Sequence, residues 1–539
     1  MTLIKSILLG SAAGIVAVAS AQAADLPTHK AAPVVQYVQI CNVGGIVGWT
    51  LPGSDTCIKI SGYLTAQVQG GNLNTQYNFG SISAVGAAIA ATNPALAATL
   101  QTLGAVSPFA TQRVLLAASA AQGNTTFYRN EVGWTTRANL TIDTASNTAY
   151  GPLLAHIEFQ NDLGSGFESL EGGANETYLN EGYLTWAGIT AGKAESFYSF
   201  TGGGLYWPNF FSPDQKGFNQ PILMAYTASF GGGFSATLAA QSPGTVGASG
   251  GGTDIAGPNN TYGGQRWPDV VGQLHYKSGW GEAQVSGVLH DVNLAANGLS
   301  GANGYPPILG GNFGCGLGAV ALLGSAVTCD SQHTQTGWGI DAGVKFNLPQ
   351  FGAGDVIGLT GSYTKNAVWY SGIPDGMWGE NGQVNGNGQP MYVADAFFNP
   401  LTNQWSNPEA WSIAAWAKHN FNPQWAISAE ASYAELNWSN MGGGCNLLGF
   451  GCGIAQGIQG PLSPRSKSWI VGGAVDWNPV VNLNFEFELM YQGTTQETPS
   501  GFLGTVYNIG GPGGAVFVPG DWKGNSNGFA GRLLITRNF

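Results

Sequence analysis

The sequence predicts an all-β fold: a 16-stranded antiparallel transmembrane β-barrel with short periplasmic turns, long external loops and a third loop folded into the lumen. Three observations carry this. Segments of about ten residues with strict apolar/polar alternation recur along most of the chain. Seven of the connections between them are turns of a few residues, and the others run to tens of residues rich in Gly, Asn, Pro and Trp. The chain ends on NGFAGRLLITRNF, a lipid-facing alternation closing on the aromatic Phe539. In lipid every backbone N–H and C=O must be paired, so only helices or closed barrels cross it. Past the first 23 residues no segment approaches the roughly 18 to 20 uninterrupted apolar residues of a spanning helix.

Residues 1–23 read as a signal peptide: Lys5 gives a positive start, ILLGSAAGIVAVAS an apolar core, and Ala21-Gln22-Ala23 a small-residue cleavage site. Cleavage there leaves 516 residues, with 24–56 as a leader segment and 57–539 as the barrel. A soluble chain of that length normally divides into domains, yet no linker, charge block or composition shift divides this one. Charged residues make up 9% of the chain, far below the usual quarter or so. Mean hydropathy is still close to zero, at +0.02. The polar half is therefore built from Gly, Asn, Ser, Thr and Gln, as suits strands with one face in lipid and one in water.

The first strand is IKISGYLTAQVQ, with Ile58, Ile60, Leu64, Ala66 and Val68 on one face and Lys59, Ser61, Tyr63, Thr65 and Gln67 on the other. An Ala-rich insert over 70–125 follows, interrupted by Pro94 and Pro108 and so not a spanning helix. WTTRANLTID then turns through TASNTAYG into LLAHIEFQ, setting Arg137 and Glu158 on polar faces. Further hairpins follow: NEGYLTW with ITAGKAE, PILMAYTASF with FSATLAAQ, DVVGQLHYKS with EAQVSGVLH, and WGIDAGVKFN with VIGLTGSY. AWSIAAWAKHN with QWAISAEASYAE, SWIVGGAVDWN with NLNFEFELMY, and the terminal strand complete the set. An even count returns both strand ends to the periplasmic side. Trp134, Trp186, Trp425, Trp469, Trp477 and Tyr491 lie near strand ends, where interfacial girdles place aromatic rings.

Thirty acidic against eighteen basic residues give −12, or −13 without Lys5. That argues against nucleic acid, which needs clustered Lys and Arg, and suits passage of cations. The loop over 196–220, SFYSFTGGGLYWPNFFSPDQKGFNQ, is too aromatic to rest in water and is expected to fold inward with Asp214 and Lys216. Lys59, Arg137, Glu158 and Lys193 are the facing candidates on the wall, since opposed charges across a narrowing select by charge and size. Among other inward residues, Asp341, Glu430, Asp476, Glu486 and Glu488 outnumber Lys345, Lys418 and Arg532.

Six cysteines fall as sequence-local pairs, Cys41 with Cys57, Cys315 with Cys329 and Cys445 with Cys452. In an exported chain this favours disulfides, although six cysteines allow fifteen pairings and the sequence does not choose among them. No metal site, cofactor or catalytic residue is expected. Gly247 to Gly251 matches G-x-S-x-G only formally, in a Gly-rich loop rather than a strand-to-helix elbow. The six histidines lack metal-ligand spacing. A barrel enzyme and a surface adhesin are the rival readings, and neither has a motif here.

ADLPTHKAAPVVQYVQIC with PGSDTCIKISGY, the hairpin YLTWAGITAGKAESFYSF and the terminal RLLITRNF together resemble the alphaproteobacterial outer-membrane general porins. The resemblance spans the mature chain in outline and is most specific from Ala24 to Leu64. It implies a homotrimer in the outer membrane of a Gram-negative bacterium, each barrel a water-filled channel for passive diffusion of small hydrophilic solutes. It also implies outer-membrane lipids and the outer-membrane assembly machinery as partners, with Phe539 matching the signal that machinery reads. Two features depart from the family pattern. Lys193 stands where arginine is usual, and the 70–125 insert is longer than expected, long enough to occlude the lumen or alter specificity.

Overall fold

The computed structural model describes residues 39–71, 132–166, 177–200, 220–243, 261–262, 265–295, 333–373, 395–399, 404–439, 464–497, 504–508, 515–519 and 525–539. Residues 1–23, read from the sequence as a signal peptide, most of the Ala-rich insert, Asp214, Lys216, Cys315, Cys329, Cys445 and Cys452 lie outside these.

Sixteen strands form the wall. They are β1 (Cys57–Gly71), β2 (Val132–Thr148), β3 (Gly151–Gly166), β4 (Thr177–Trp186), β5 (Ile189–Lys193), β6 (Ile222–Gly231), β7 (Phe234–Gln241) and β8 (Asp269–Ser278). The second half comprises β9 (Gly281–Ala295), β10 (His333–Asn347), β11 (Val356–Lys365), β12 (Pro408–Asn422), β13 (Trp425–Trp438), β14 (Arg465–Val480), β15 (Leu483–Gln496) and β16 (Asn525–Asn538). Each pairs antiparallel with the next. β16 returns to β1, from Ala530 opposite Gly71 to Asn538 opposite Tyr63, so the ring is closed and has no free edge.

The short connections all lie on one rim. One of them is the two-residue turn Ala187-Gly188, and the positive φ of both (51° and 87°) is what a primed hairpin turn requires. At this rim β1 starts below the end of β16, which leaves Cys57 and its neighbours without a partner on that side. A leader hairpin, Ile40–Val43 with Ile46–Thr50, takes the place, pairing Trp49 with Ile58 and Thr50 with Cys57. A Cys41–Cys57 disulfide ties it there with Cα atoms 5.8 Å apart. Its Gly44 lies against Pro152 and Leu154, and Cys57 and Ala145 are buried.

Alternation sorts the two faces as the sequence implies. Ile60, Leu64, Leu140, Ile157, Met224, Leu238, Val285, Ile340 and Leu489 are all exposed on the outside. Aromatic pairs border this apolar band at both ends. Toward the short turns, Tyr276–Trp280 and Trp425–Trp477 lie with ring centres 5.9 and 5.8 Å apart. Toward the long loops stand Trp338–Tyr363 at 5.6 Å, Trp411–Tyr433 at 5.1 Å and Trp469–Tyr491 at 5.5 Å. Trp469 and Trp477 share β14. The eight residue steps from one to the other are about 26 Å along the strand, or about 20 Å of depth at a 40° tilt. That approaches the roughly 25 Å apolar band of such barrels.

Candidate functional site

The inner surface has two unlike walls. Along β6 to β12 it is covered by chain. The segment Ala194–Phe200, which opens the loop after β5, lies inside the barrel with Ala194, Tyr198 and Phe200 buried. Asn366–Ile373, the start of the loop after β11, lies beside it and holds a short 3-10 turn at Val368–Ser371.

Irregular backbone at this depth must find partners for its polar groups, and the wall supplies them. The Tyr198 carbonyl accepts from Gln284 Nε2 at 3.1 Å, and the Ser199 carbonyl from the same nitrogen at 2.9 Å. Tyr198 Oη meets Ser362 Oγ at 2.8 Å. Burial, with Asp341 nearby, pushes the Tyr198 phenol well above the usual tyrosine range, so it stays neutral. Ser196 Oγ donates to Gln241 Oε1 at 2.9 Å, and Gln241 Nε2 to Tyr370 Oη at 2.9 Å. Tyr370 in turn donates to Asp269.

Asp269 also meets His290 Nδ1 at 2.9 Å, while Asp395 stands 3.4 Å from His290 Nε2 and accepts the Val368 N–H at 2.7 Å. All three ionisable side chains have 0% exposure. Six separate stretches of chain are thus bolted together. Phe200 fills a slot that only glycine leaves open: a Cβ on Gly343 would come 2.1 Å from its ring.

The wall from β1 to β4 carries long charged side chains instead. Arg137 forms a two-pronged ion pair with Asp162 (Nε–Oδ1 2.7 Å, Nη2–Oδ2 3.1 Å), and Asp162 Oδ2 also accepts from Gln160 and Tyr178, each at 2.9 Å. Nearer the short turns, His156 Nδ1 lies 2.7 Å from Asp143, and Nε2 lies 3.6 Å from Glu181 and 3.9 Å from Glu158. Lys59 is paired in register with Asp143. A bulge between Glu158 and Phe159 puts both Asn180 and Glu181 beside Glu158, with Asn180 Nδ2 donating to it at 2.6 Å. Four acids (Asp143, Glu158, Asp162, Glu181) here face two permanent cations (Lys59, Arg137).

The inner face of β12 to β16 is also charged: Lys418 pairs with Asp476 at 3.1 Å, and Arg532 with Glu488 at 2.6 Å and Glu486 at 3.5 Å.

Lys59, Arg137 and Glu158 therefore share one wall, as the alternation implies. Lys193 does not join them. Its register partners are Gly182 and Ile222, and Gly182 is in turn opposite Ile157, so Lys193 lies in the outward row; its Nζ donates to the Leu179 carbonyl at 2.8 Å. Counting by twos from the outward Ile189 gives the same face, and parity outranks the preference of a charge for water. Asp143, His156, Asp162 and Glu181 complete the cluster and are not among the sequence candidates. Asp143, His156 and Glu181 fall on the polar side of their strands, and Asp162 lies just past the alternation read for β3. Among the described residues no group of three or more His, Cys, Asp or Glu is placed to hold a metal ion.

A closed antiparallel barrel with an apolar outside, a charged inside and an inward loop is a channel architecture. The Porin subfamily model matches residues 25–507. The chain belongs to the Porin subfamily. Membership and fold together make it an outer-membrane porin. It is similar to Porin Omp2b of Brucella canis, 28% identical over 379 residues that cover 68% of this chain and 86% of that one. It is also similar to Porin Omp2b of Brucella neotomae, 28% identical over 416 residues covering 70% and 97%. Among solved structures, the outer membrane channel DcaP of Acinetobacter baumannii aligns over 91% of this chain and 99% of its own, at 11% identity and a TM-score of 0.47.

Proposed function

We propose that this porin is a passive diffusion channel for small hydrophilic solutes and ions, weakly cation-selective, working as a homotrimer. The observation that carries the reading is the contrast across the lumen. One side is filled by a pinned segment, and the other, from β1 to β4, presents four carboxylates against two permanent cations. Fixed charge along a narrow aqueous path enriches the ion of opposite sign. Lys59, Arg137 and Glu158 are assigned to this path. Trimer formation follows the family resemblance.

The test is purified protein in planar bilayers. Stepwise conductance is expected, with a reversal potential across a salt gradient that favours the cation. A barrel that inserts and stays silent overturns the reading. Light scattering in detergent checks the assembly, with a mass of about one protomer as the contrary result.

A further inference from the structure

We infer that His156 is the residue that sets the ionic selectivity of the β1–β4 wall, by adding or removing one positive charge among its carboxylates. The inference rests on the channel reading above and deepens it. His156 is half-enclosed on the inner face of β3, its ring stacked on Tyr183 of β4 with centres 5.0 Å apart and planes 28° apart. Nδ1 is committed to Asp143 of β2 at 2.7 Å. Nε2 has no hydrogen-bond partner, yet two carboxylates stand before it, Glu181 of β4 at 3.6 Å and Glu158 of its own strand at 3.9 Å.

The other charged groups around it include Lys59 of β1, in register with Asp143, Glu195 at the start of the inward segment, whose field reaches Glu181 and Tyr183, and Lys193 of β5, which acts on Glu181 and Glu158 from the outward row. Gln220, entering β6, donates to Glu181 at 3.1 Å and holds that carboxylate in place.

The consequence is a change in local charge at fixed geometry. With Nδ1–H donated to Asp143, a neutral ring turns a bare lone pair toward two acidic side chains. A proton taken up at Nε2 supplies a cation between them and moves the group of Asp143, His156, Glu158 and Glu181 from −3 to −2. Arg137 is already clasped by Asp162 and Lys59 is in register with Asp143, while the imidazole has a nitrogen before both Glu158 and Glu181.

The test is the cation-to-anion permeability ratio of the intact channel in planar bilayers between pH 8 and pH 5, for wild type, His156→Gln and His156→Lys. Wild type is expected to lose about twofold of its cation preference on acidification, the order expected of one unit charge beside a salt-screened aqueous path. His156→Gln, which can still donate to Asp143, should hold the high-pH ratio throughout. His156→Lys should hold the acid-limit ratio throughout, and it decides the matter alone if the glutamine variant does not assemble. A full wild-type shift retained in either variant overturns the inference while leaving the channel reading intact. A wild type without conductance defeats the channel reading itself.

Discussion

The wall from β6 to β12 and the wall from β1 to β4 are built from the same strand grammar and do opposite jobs. On the first, the inward positions under the segment are mostly small or uncharged, as at Gly343, Ser286, Ser362, Ser412, Gln284 and Gln241, and the charged groups among them, Asp269, His290 and Asp341, are buried by the chain that covers them. Chain can lie down on such a surface, and the wall supplies partners to the Tyr198 and Ser199 carbonyls, the Ser196 and Tyr198 hydroxyls and Tyr370. On the second, inward positions are Arg137, His156, Glu158, Asp162 and Glu181, whose long side chains fill the space a backbone would need and stay partly wet. Side-chain size on a barrel's inner face thus decides which part a segment of chain can cover.

Four experiments would break or sharpen that contrast. The largest effect is expected from Asp269→Ala, which leaves the fully buried His290 facing Asp395 alone and removes the acceptor of Tyr370. Loss of one partner of a buried charged set costs about 3–5 kcal/mol, read from urea unfolding in lipid vesicles. Single-channel conductance should also rise and become noisy as the inward segment loosens. Quiet, wild-type traces would show that the bolt does not hold the segment.

Next, Gly343→Leu puts a side chain where the Phe200 ring lies, and overpacking of this kind costs about 1–3 kcal/mol. A conductance above wild type is expected, because Phe200 must leave its slot. Smaller again, Arg137→Gln leaves Asp162 without its counter-charge and should raise the cation-to-anion permeability ratio about twofold. An unchanged ratio would place that ion pair off the path. The smallest expected effect is none: Lys193→Ala should leave the reversal potential where it was, and a shift of several millivolts would return that ammonium to the lumen.

Much of the fold was legible in the residues. Alternation names all sixteen strands because a pleated strand between lipid and water has no other stable pattern, and the run of short turns orders them. The aromatic girdle was equally plain, since Trp425, Trp469 and Trp477 stand at strand ends on the apolar side. The site was harder to read. The bulge at Glu158 leaves no mark on a two-residue period until the neighbouring strand is paired, so the approach of Asn180 and Glu181 to Glu158 was hidden.

Lys193 misled because its charge suggested water while its parity pointed to the outward face. The bolt of Ser196, Gln241, Asp269, His290 and Tyr370 was invisible for another reason. Alternation tells which face a residue occupies, but not what lies against that face, and these residues come from stretches far apart in the chain. The slot at Gly343 is likewise silent, one glycine among eighty-four.

The leader hairpin has a consequence for how the molecule is made. Tyr63 and Asn538 stand almost a full chain length apart, and their pairing must come late, because a contact so distant in sequence carries the greatest loop-closure entropy. Until it forms, the first strand offers its whole length as a sticky border. The Cys41–Cys57 link holds the polypeptide's own beginning over the lowest part of that border, at Cys57 and Ile58, which the closing strand does not reach. Oxidation ahead of insertion would then act as a guard against the wrong neighbour.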